Sequence, residues 1–336
     1  LPEARRNLDY KVVVDGSNAW RQRLTNFDYN TVLIAAARCV MPLEMKVSIF
    51  TVDAFTDHPF SGNPAAVVPL LQEELMQKLA GEMNLSETAY VSPVGEEAAK
   101  EEPWVRCSRF SLRWFSPTTE VPLCGNCRTH VEFETLSGVL VARKDSDNIV
   151  LDFPANTPVP LTPHQDTQLG PLLRVATDGL QVQQMMLSHT TKKLLVRLHH
   201  SCTRKHLENL RIDSGSFLNL HDGSLVKGII YTLHGGLHVS NAQITAPDSP
   251  QYHCLSRYFA PWNGIPEDPV TGSTHTVLGP YWSKELGITT LKCRQCSPRG
   301  GDLLVTVRGD GRVDLAGRAT TIIQGYLTLT PPIKSG

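Results

Sequence analysis

Apolar residues in this chain recur with two periods, and the order in which those periods follow one another repeats. KVSIFTVDAF (46–55) is an apolar, β-branched run, PFSGNP (59–64) supplies turn residues, and AAVVPL (65–70) resumes the strand pattern. Between 71 and 83 the residues Leu71, Leu75, Met76, Leu79, Ala80 and Met83 fall three and four apart, which predicts an amphipathic helix. NLSETAYVSP (84–93) and RFSLRWF (109–115) return to strand character. THVEFETLSG (129–138) reads as a helix ending at Gly138. GVLVARKDSDNIVLDFP (138–154) reads as a hairpin, and GDLLVTVRGDGRVDLAG (301–317) repeats that phrase with Asp310-Gly311 in its turn.

Each hairpin is preceded by a predicted helix behind a glycine-containing loop. The first loop is Cys124-Gly125-Asn126, and the second opens TGSTHTVLGPYWSKELG (271–287), where Pro280 is expected to kink or shorten the helix. Two related halves follow, each a curved sheet around a central helix, which makes the expected fold α+β with two pseudo-symmetric domains. The divisions are an N-terminal extension at 1–44, a first domain at 45–165 and a second at 166–332. Both helix N-termini are then expected to point into one cleft, where free N–H groups and the positive dipole end receive a carboxylate.

Composition narrows the function. The chain has 336 residues, a formal net charge of -1 and 41 % hydrophobic residues, so it has ample core material and no net field to attract nucleic acid or anionic lipid. The basic run TKKLLVRLHHSCTRKH (191–206) reads as a solvated face. No apolar stretch approaches the about 20 residues that span a bilayer, and the first 40 residues mix acids with arginines as signal and transit peptides do not, so a cytoplasmic protein is expected.

Three chemistries compete for EVPLCGNCRTH (120–130). Cys124-x-x-Cys127 and Cys293-x-x-Cys296 together offer four thiols for zinc, but they lie far apart in sequence, and a strand points residues three apart to opposite faces. A redox CxxC lacks its βαβ setting. The start of a helix that holds a substrate is the third reading. Glu87, in a strand of small and apolar residues, is either a carboxyl raised toward neutrality by burial or an edge glutamate facing water. Asp268 in PEDPVTGSTH (266–275) stands beside Thr271, Gly272 and Ser273 as either a ligand cluster or a plain N-cap and turn.

Four phrases together resemble the phenazine-biosynthesis-like, PhzF-type isomerases, with the animal members nearest: VDAFTDHPFSGNPAAV (52–67), MNLSETAYV (83–91), RWFSPTTEVPLCGN (113–126) and RYFAPWNGIPEDPVTGSTHT (257–276). The resemblance covers about residues 45–330. It implies the diaminopimelate-epimerase-like fold, a homodimer, no metal or organic cofactor, and a small carboxylate-bearing metabolite as substrate. It assigns proton transfer to Glu87 with help from Asp268, and substrate binding to Gly125, Asn126, Gly272 and Ser273. The family phrase CGHAT reads CGNCRTH here, so Asn126 stands where the family has a histidine. Asparagine does not titrate near neutrality. His130 lies one helical turn on. That departure motivates a second expectation, a catalytically silent member acting as an interaction module with a WD-repeat protein.

Overall fold

The computed structural model describes residues 45–69, 73–99, 102–121, 131–136, 138–236 and 252–329. Lys46–Leu327 form one unit; of Leu1–Met45 and Thr328–Gly336, which group separately, only Met45, Thr328 and Leu329 are described. The first half supplies β1 (Met45–Ala54), β2 (Asn63–Val68), α1 (Glu73–Met83), β3 (Glu87–Pro93), α2 (Pro103–Arg106), β4 (Arg109–Phe115), β5 (Glu120–Val121), β6 (Val131–Thr135), β7 (Gly138–Asp145) and β8 (Asn148–Pro154). After β9 (Val159–Pro160) and α3 (Pro163–Ala176), the second half supplies β10 (Val182–Ser188), β11 (Lys193–Leu198), α4 (Arg204–Glu208), β12 (Gly228–His234), β13 (Cys254–Ala260) and β14 (Ile265–Asp268). It continues with α5 (Gly272–Leu286), β15 (Thr290–Gln295), β16 (Gly301–Val307) and β17 (Arg312–Gly317), before β18 (Ala319–Leu329).

The hairpins of the repeat read from the sequence are present, and the order and sense of strand pairing recur in the two halves. β1 pairs β2 antiparallel, β2 pairs β3 parallel, β3 pairs β4 antiparallel, β4 pairs β6 parallel, and β6, β7 and β8 continue antiparallel. The same series runs through β10, β11, β12, β13, β15, β16 and β17. The two series join where β8 meets β17 antiparallel, giving a large mixed sheet. Registers match too: Ala89 faces Trp114 as Ile230 faces Tyr258, and Phe110 faces Phe133 as Cys254 faces Cys293.

Some matched positions kept their residue. Tyr90 and Tyr231 are buried counterparts whose hydroxyls donate to helix carbonyls, Tyr90 to Met76 of α1 at 2.6 Å and Tyr231 to Ala176 of α3 at 2.8 Å. Such buried hydroxyls need a partner, and each bond contributes roughly 1 kcal/mol net. Arg113 grips Glu120 with two hydrogen bonds of 2.7 and 3.0 Å, and its counterpart Arg257 grips Glu267 with two of 2.6 and 2.7 Å. Planar guanidinium and carboxylate fit face to face, which ties each short strand, β5 and β14, to its neighbour.

The expected helix over 129–138 is a correction. Residues 131–135 form strand β6, because Val131 and Phe133 point into the core while Glu132 and Glu134 both pair with Arg109 on the outer face, a period of two. Pro280 does not shorten α5, which runs on to Leu286. Proline cannot bond the carbonyl four residues back, and that carbonyl, Thr276 O, accepts instead from the Asn156 N–H at 3.0 Å. Cys293 and Cys296 fall in two different cores, as their spacing along a strand requires, so they do not act as one chelating pair. The Cys293 thiol meets Cys254 at 3.1 Å. No helix among the described residues is long and apolar enough to cross a membrane.

Candidate active site

A cavity of about 730 Å³ is lined by Glu87, Lys193, Tyr258, Asp268, Thr271 and Ser273, with Lys192, Lys227 and Asn156 at its wall. Glu87 arrives there through local geometry. Asn84 follows α1 with a left-handed φ of 49° and donates its N–H to Ala80 O at 3.1 Å, which ends the helix and turns the chain into β3, whose first residue is Glu87. Glu87 pairs with Ala65 of β2 and is half-buried.

Asp268 ends β14, held beside Tyr258 in the ladder, and the following Pro269 keeps it extended. It is 4 % exposed. Its Oδ2 accepts from the Thr271 hydroxyl and its backbone oxygen from Gln295 Nε2 at 2.6 Å, while Oδ1 has no partner among the described residues. Burial pushes the Asp268 carboxyl up to about 7, and the negative charge of Glu87 pushes the same way; the Thr271 hydroxyl and Lys193 pull against them. Such a group is shared between protonated and ionised forms near neutral pH, which is what a proton-transfer residue requires.

Lys193 is the counterpart of Ala65, and it is buried. Burial brings its ammonium down to about 8 despite the attraction of Asp268. Its Nζ lies 5.3 Å from the centre of the Tyr258 ring. Burial raises the Tyr258 hydroxyl far above its ordinary range, with Asp268 adding to the effect, so the phenol stays a hydrogen-bond donor. Gly228, the counterpart of Glu87, makes room for it: a Cβ there would fall 2.1 Å from the Tyr258 oxygen.

The start of α5 completes the wall. Thr271 occupies the N-cap position, yet its hydroxyl is committed to Asp268 and leaves the first-turn N–H groups to other acceptors. His275 Nδ1 sits 2.8 Å from Thr271 O, and burial lowers its pKa to about 4, so the ring is neutral and orients the turn. Gly272 is not demanded by packing, since a Cβ would make ordinary contacts of 3.5 Å with Phe55 and 3.9 Å with Leu315.

The structure therefore brings together Glu87, Asp268 and Ser273 on one cavity, with Gly272 between the lining residues Thr271 and Ser273. Gly125, Asn126, Cys124, Cys127 and His130 lie outside the described residues. Among the described residues no group of three or more His, Cys, Asp or Glu is placed to hold a metal ion. Sequence reading misses Lys193 and Tyr258. The run 191–206 reads as a solvated basic face, although Lys193 opens LLV, a run buried on both sides of the sheet, and a lysine heading such a run is the available signal.

Comparison with known proteins identifies the family of the chain. The family model described as phenazine biosynthesis-like protein, PhzC-PhzF, matches residues 52–325. The phenazine biosynthesis-like domain-containing protein of Rattus norvegicus is 43 % identical over 302 residues, covering 84 % of this chain and all of the relative. A Pseudomonas aeruginosa protein named as an uncharacterized isomerase is 35 % identical over 304 residues, 85 % of this chain and all of its own. A crystal structure of a PhzF family protein from Enterococcus faecalis superposes with a TM-score of 0.65 at 32 % identity, covering 85 % of this chain and all of that one. With the family's model running through both ladders and through the Glu87 and Asp268 phrases alike, this chain belongs to the PhzC-PhzF, phenazine biosynthesis-like family.

Proposed function

We propose that this protein is a cofactor-independent isomerase that moves a proton between carbons of a small carboxylate-bearing metabolite. The observation that carries the reading is that Glu87 and the buried Asp268 line one cavity, where burial and then the charge of Glu87 raise the Asp268 carboxyl. A pair of carboxyls that repel one another share protons unequally, and this divides them into a base and an acid. Glu87, ionised, takes a proton from a C–H bond whose electrons pass into the conjugated system of the substrate. The proton then returns to a different carbon. Asp268 Oδ1, which lacks a protein partner among the described residues, hydrogen-bonds the substrate while charge develops. Lys192, Lys227 and the first turn of α5, at Gly272 and Ser273, receive the carboxylate, and the family resemblance adds Gly125 and Asn126, which lie outside the described residues. The volume suits a small metabolite.

The same reading divides the chain into diaminopimelate-epimerase-like domains at 45–165 and 166–332, assembled as a homodimer. Hydrogen exchange at carbon tests the mechanism across many compounds at once. Incubated in heavy water with a panel of small cyclic and unsaturated carboxylates, the parent should place deuterium at carbon in at least one, and Glu87→Gln should slow that exchange by about 10² to 10⁴. Equal exchange by a normally folded Glu87→Gln protein removes the mechanism.

A second reading is a catalytically silent interaction protein whose partner is of the WD-repeat class. It draws on the β5–β6 link, residues 122–130, which is shorter than the 15-residue α5 that occupies the matching link of the second half. Exchange that appears only in Asn126→His favours this reading over the first.

A further inference from the structure

The first residue of β11 breaks the pattern of its strand. From Lys193 onward every second side chain lies on the α5 face of the sheet: Leu195 shares a core with Val277 and Leu278, and Arg197 donates to the Tyr281 hydroxyl at 3.0 Å. Lys193 heads that row beside Tyr258 and Asp268 and lines the cavity that they share with Glu87. Its entry is fixed by Lys192, which has a left-handed φ of 51° and whose carbonyl accepts the Lys227 N–H at 2.7 Å.

The frame itself does not call for a lysine here. The matching position of the first half holds Ala65, which pairs with Glu87 as Lys193 pairs with Gly228. Arg257 shows how this fold anchors a buried cation for structure: Glu267 grips it with two bonds, and the carbonyls of Leu207, Glu208 and Leu210 accept from its Nη1. Lys193 has no such anchors. Among the described residues it makes no hydrogen bond, and Asp268 attracts it without closing a salt bridge. A buried ammonium left unpaired is costly, so desolvation favours the neutral amine, whose lone pair no ion pair ties up. The groups that share its cavity are the carboxyls of Glu87 and Asp268, the Tyr258 phenol and the ammonium groups of Lys192 and Lys227.

We propose that Lys193 is the covalent residue of this cavity, its Nζ condensing with the carbonyl of a small oxo carboxylate to form a Schiff base. This deepens the reading of Glu87 and Asp268, and its proton-transfer step rests on that reading. Nζ adds to the carbonyl carbon, the carbonyl electron pair moves to oxygen, and that oxygen takes the proton the nitrogen loses. Asp268 in its protonated form gives the proton with which the oxygen leaves as water, while the nitrogen lone pair closes the C=N bond. The iminium so formed draws electrons from the neighbouring C–H bond, whose proton Glu87 takes, leaving an enamine. The proton returns to carbon, and addition of water releases the product and frees Lys193.

The test traps the iminium. The full chain is incubated at pH 8 with glyoxylate or pyruvate and sodium cyanoborohydride, which reduces C=N to a stable secondary amine, and labelled lysines are located by peptide mass spectrometry. At pH 8 roughly half of Lys193 is neutral, against under about 1 % of a lysine at the ordinary 10.5. Lys193 should therefore label at least about tenfold faster than the exposed Lys144 with one of the two acids. Labelling of Lys193 no faster than that of Lys144 overturns the proposal. So does a Lys193→Arg protein, folded as the parent by circular dichroism, that keeps the parent's deuterium exchange into oxo carboxylates. Trapping at Lys193 in a parent that exchanges no carbon-bound hydrogen upholds the Schiff base and removes the Glu87 reading, and exchange without trapping does the reverse.

Discussion

The two ladders of this protein have the same order and sense of strand pairing and different contents. Where both halves kept a residue, the job is structural: Tyr90 and Tyr231 each hold a helix carbonyl, and Arg113 and Arg257 each clamp a neighbouring short strand. Where the halves diverged, the chemistry collects. Glu87 answers to Gly228, Lys193 to Ala65 and Asp268 to Val121, so each half contributes titratable groups where the other offers a small or apolar residue. A duplicated frame supplies position, and loss of symmetry supplies an acid and a base with different surroundings.

The core around α5 gives the largest way to press this comparison. Trp282→Ala removes a fully buried indole and its bond to Thr232, and should cost about 3–5 kcal/mol in urea unfolding. Trp114→Ala, at the counterpart ladder beside an existing cavity, should cost visibly less. If the two losses are equal, the first-half ladder is packed as tightly as the second.

Exchanging contents is the next step. Cys293→Phe copies Phe133 into the half that has α5, where Cys254 already stands 3.1 Å away, and overpacking should destabilise by roughly 1–3 kcal/mol. Tolerance of the phenylalanine without loss would mean that the two ladders pack alike at this position.

Asp268→Asn acts on the asymmetry of charge. The folded Asp268 keeps its proton up to about 7, against an ordinary value of 3.8. It therefore contributes stability that is complete below the ordinary value and lost as pH rises through 7. The asparagine variant lacks that loss, so at pH 8 it should be the more stable protein by roughly 1–2 kcal/mol, reduced because Lys193 loses its counter-charge. Thermal melts at pH 4 and pH 8 check the sign: the gain should shrink toward pH 4. Gly272→Ala should have the smallest effect on stability, within about 1 kcal/mol and in the favourable direction inside a helix, yet it should weaken carboxylate binding at the α5 N-terminus. Unchanged binding would place the carboxylate elsewhere.

Much of this is legible in the sequence because strands announce themselves by alternation and turns by composition. RFSLRWF and the paired hairpins match their strands closely, and the repeat they form foretells the matched ladders. Residues 131–135 mislead because a five-residue alternation of Val, Glu, Phe and Glu is too short to outweigh the stop signal at Gly138, which suits the end of a helix. Its partners, Arg109 and Phe110, are distant in sequence, so only pairing decides it. Glu87 and Asp268 stand out as candidates, but in the sequence each keeps an alternative of solvent exposure or mere capping. What resolves this for Asp268 is burial, a property of the folded chain. Lys193 is hidden by its basic neighbours.

One measurement bears most directly on the coupling of Glu87 and Asp268. Carbon-13 NMR of aspartate carboxyls, with Asp268 assigned by its asparagine variant, gives the titration of that one group in the parent and in Glu87→Gln. The expected result is a midpoint of about 7 in the parent and a lower one once the charge at residue 87 is gone. A parent midpoint near the ordinary 3.8, or one that Glu87→Gln leaves in place, would contradict a shared site.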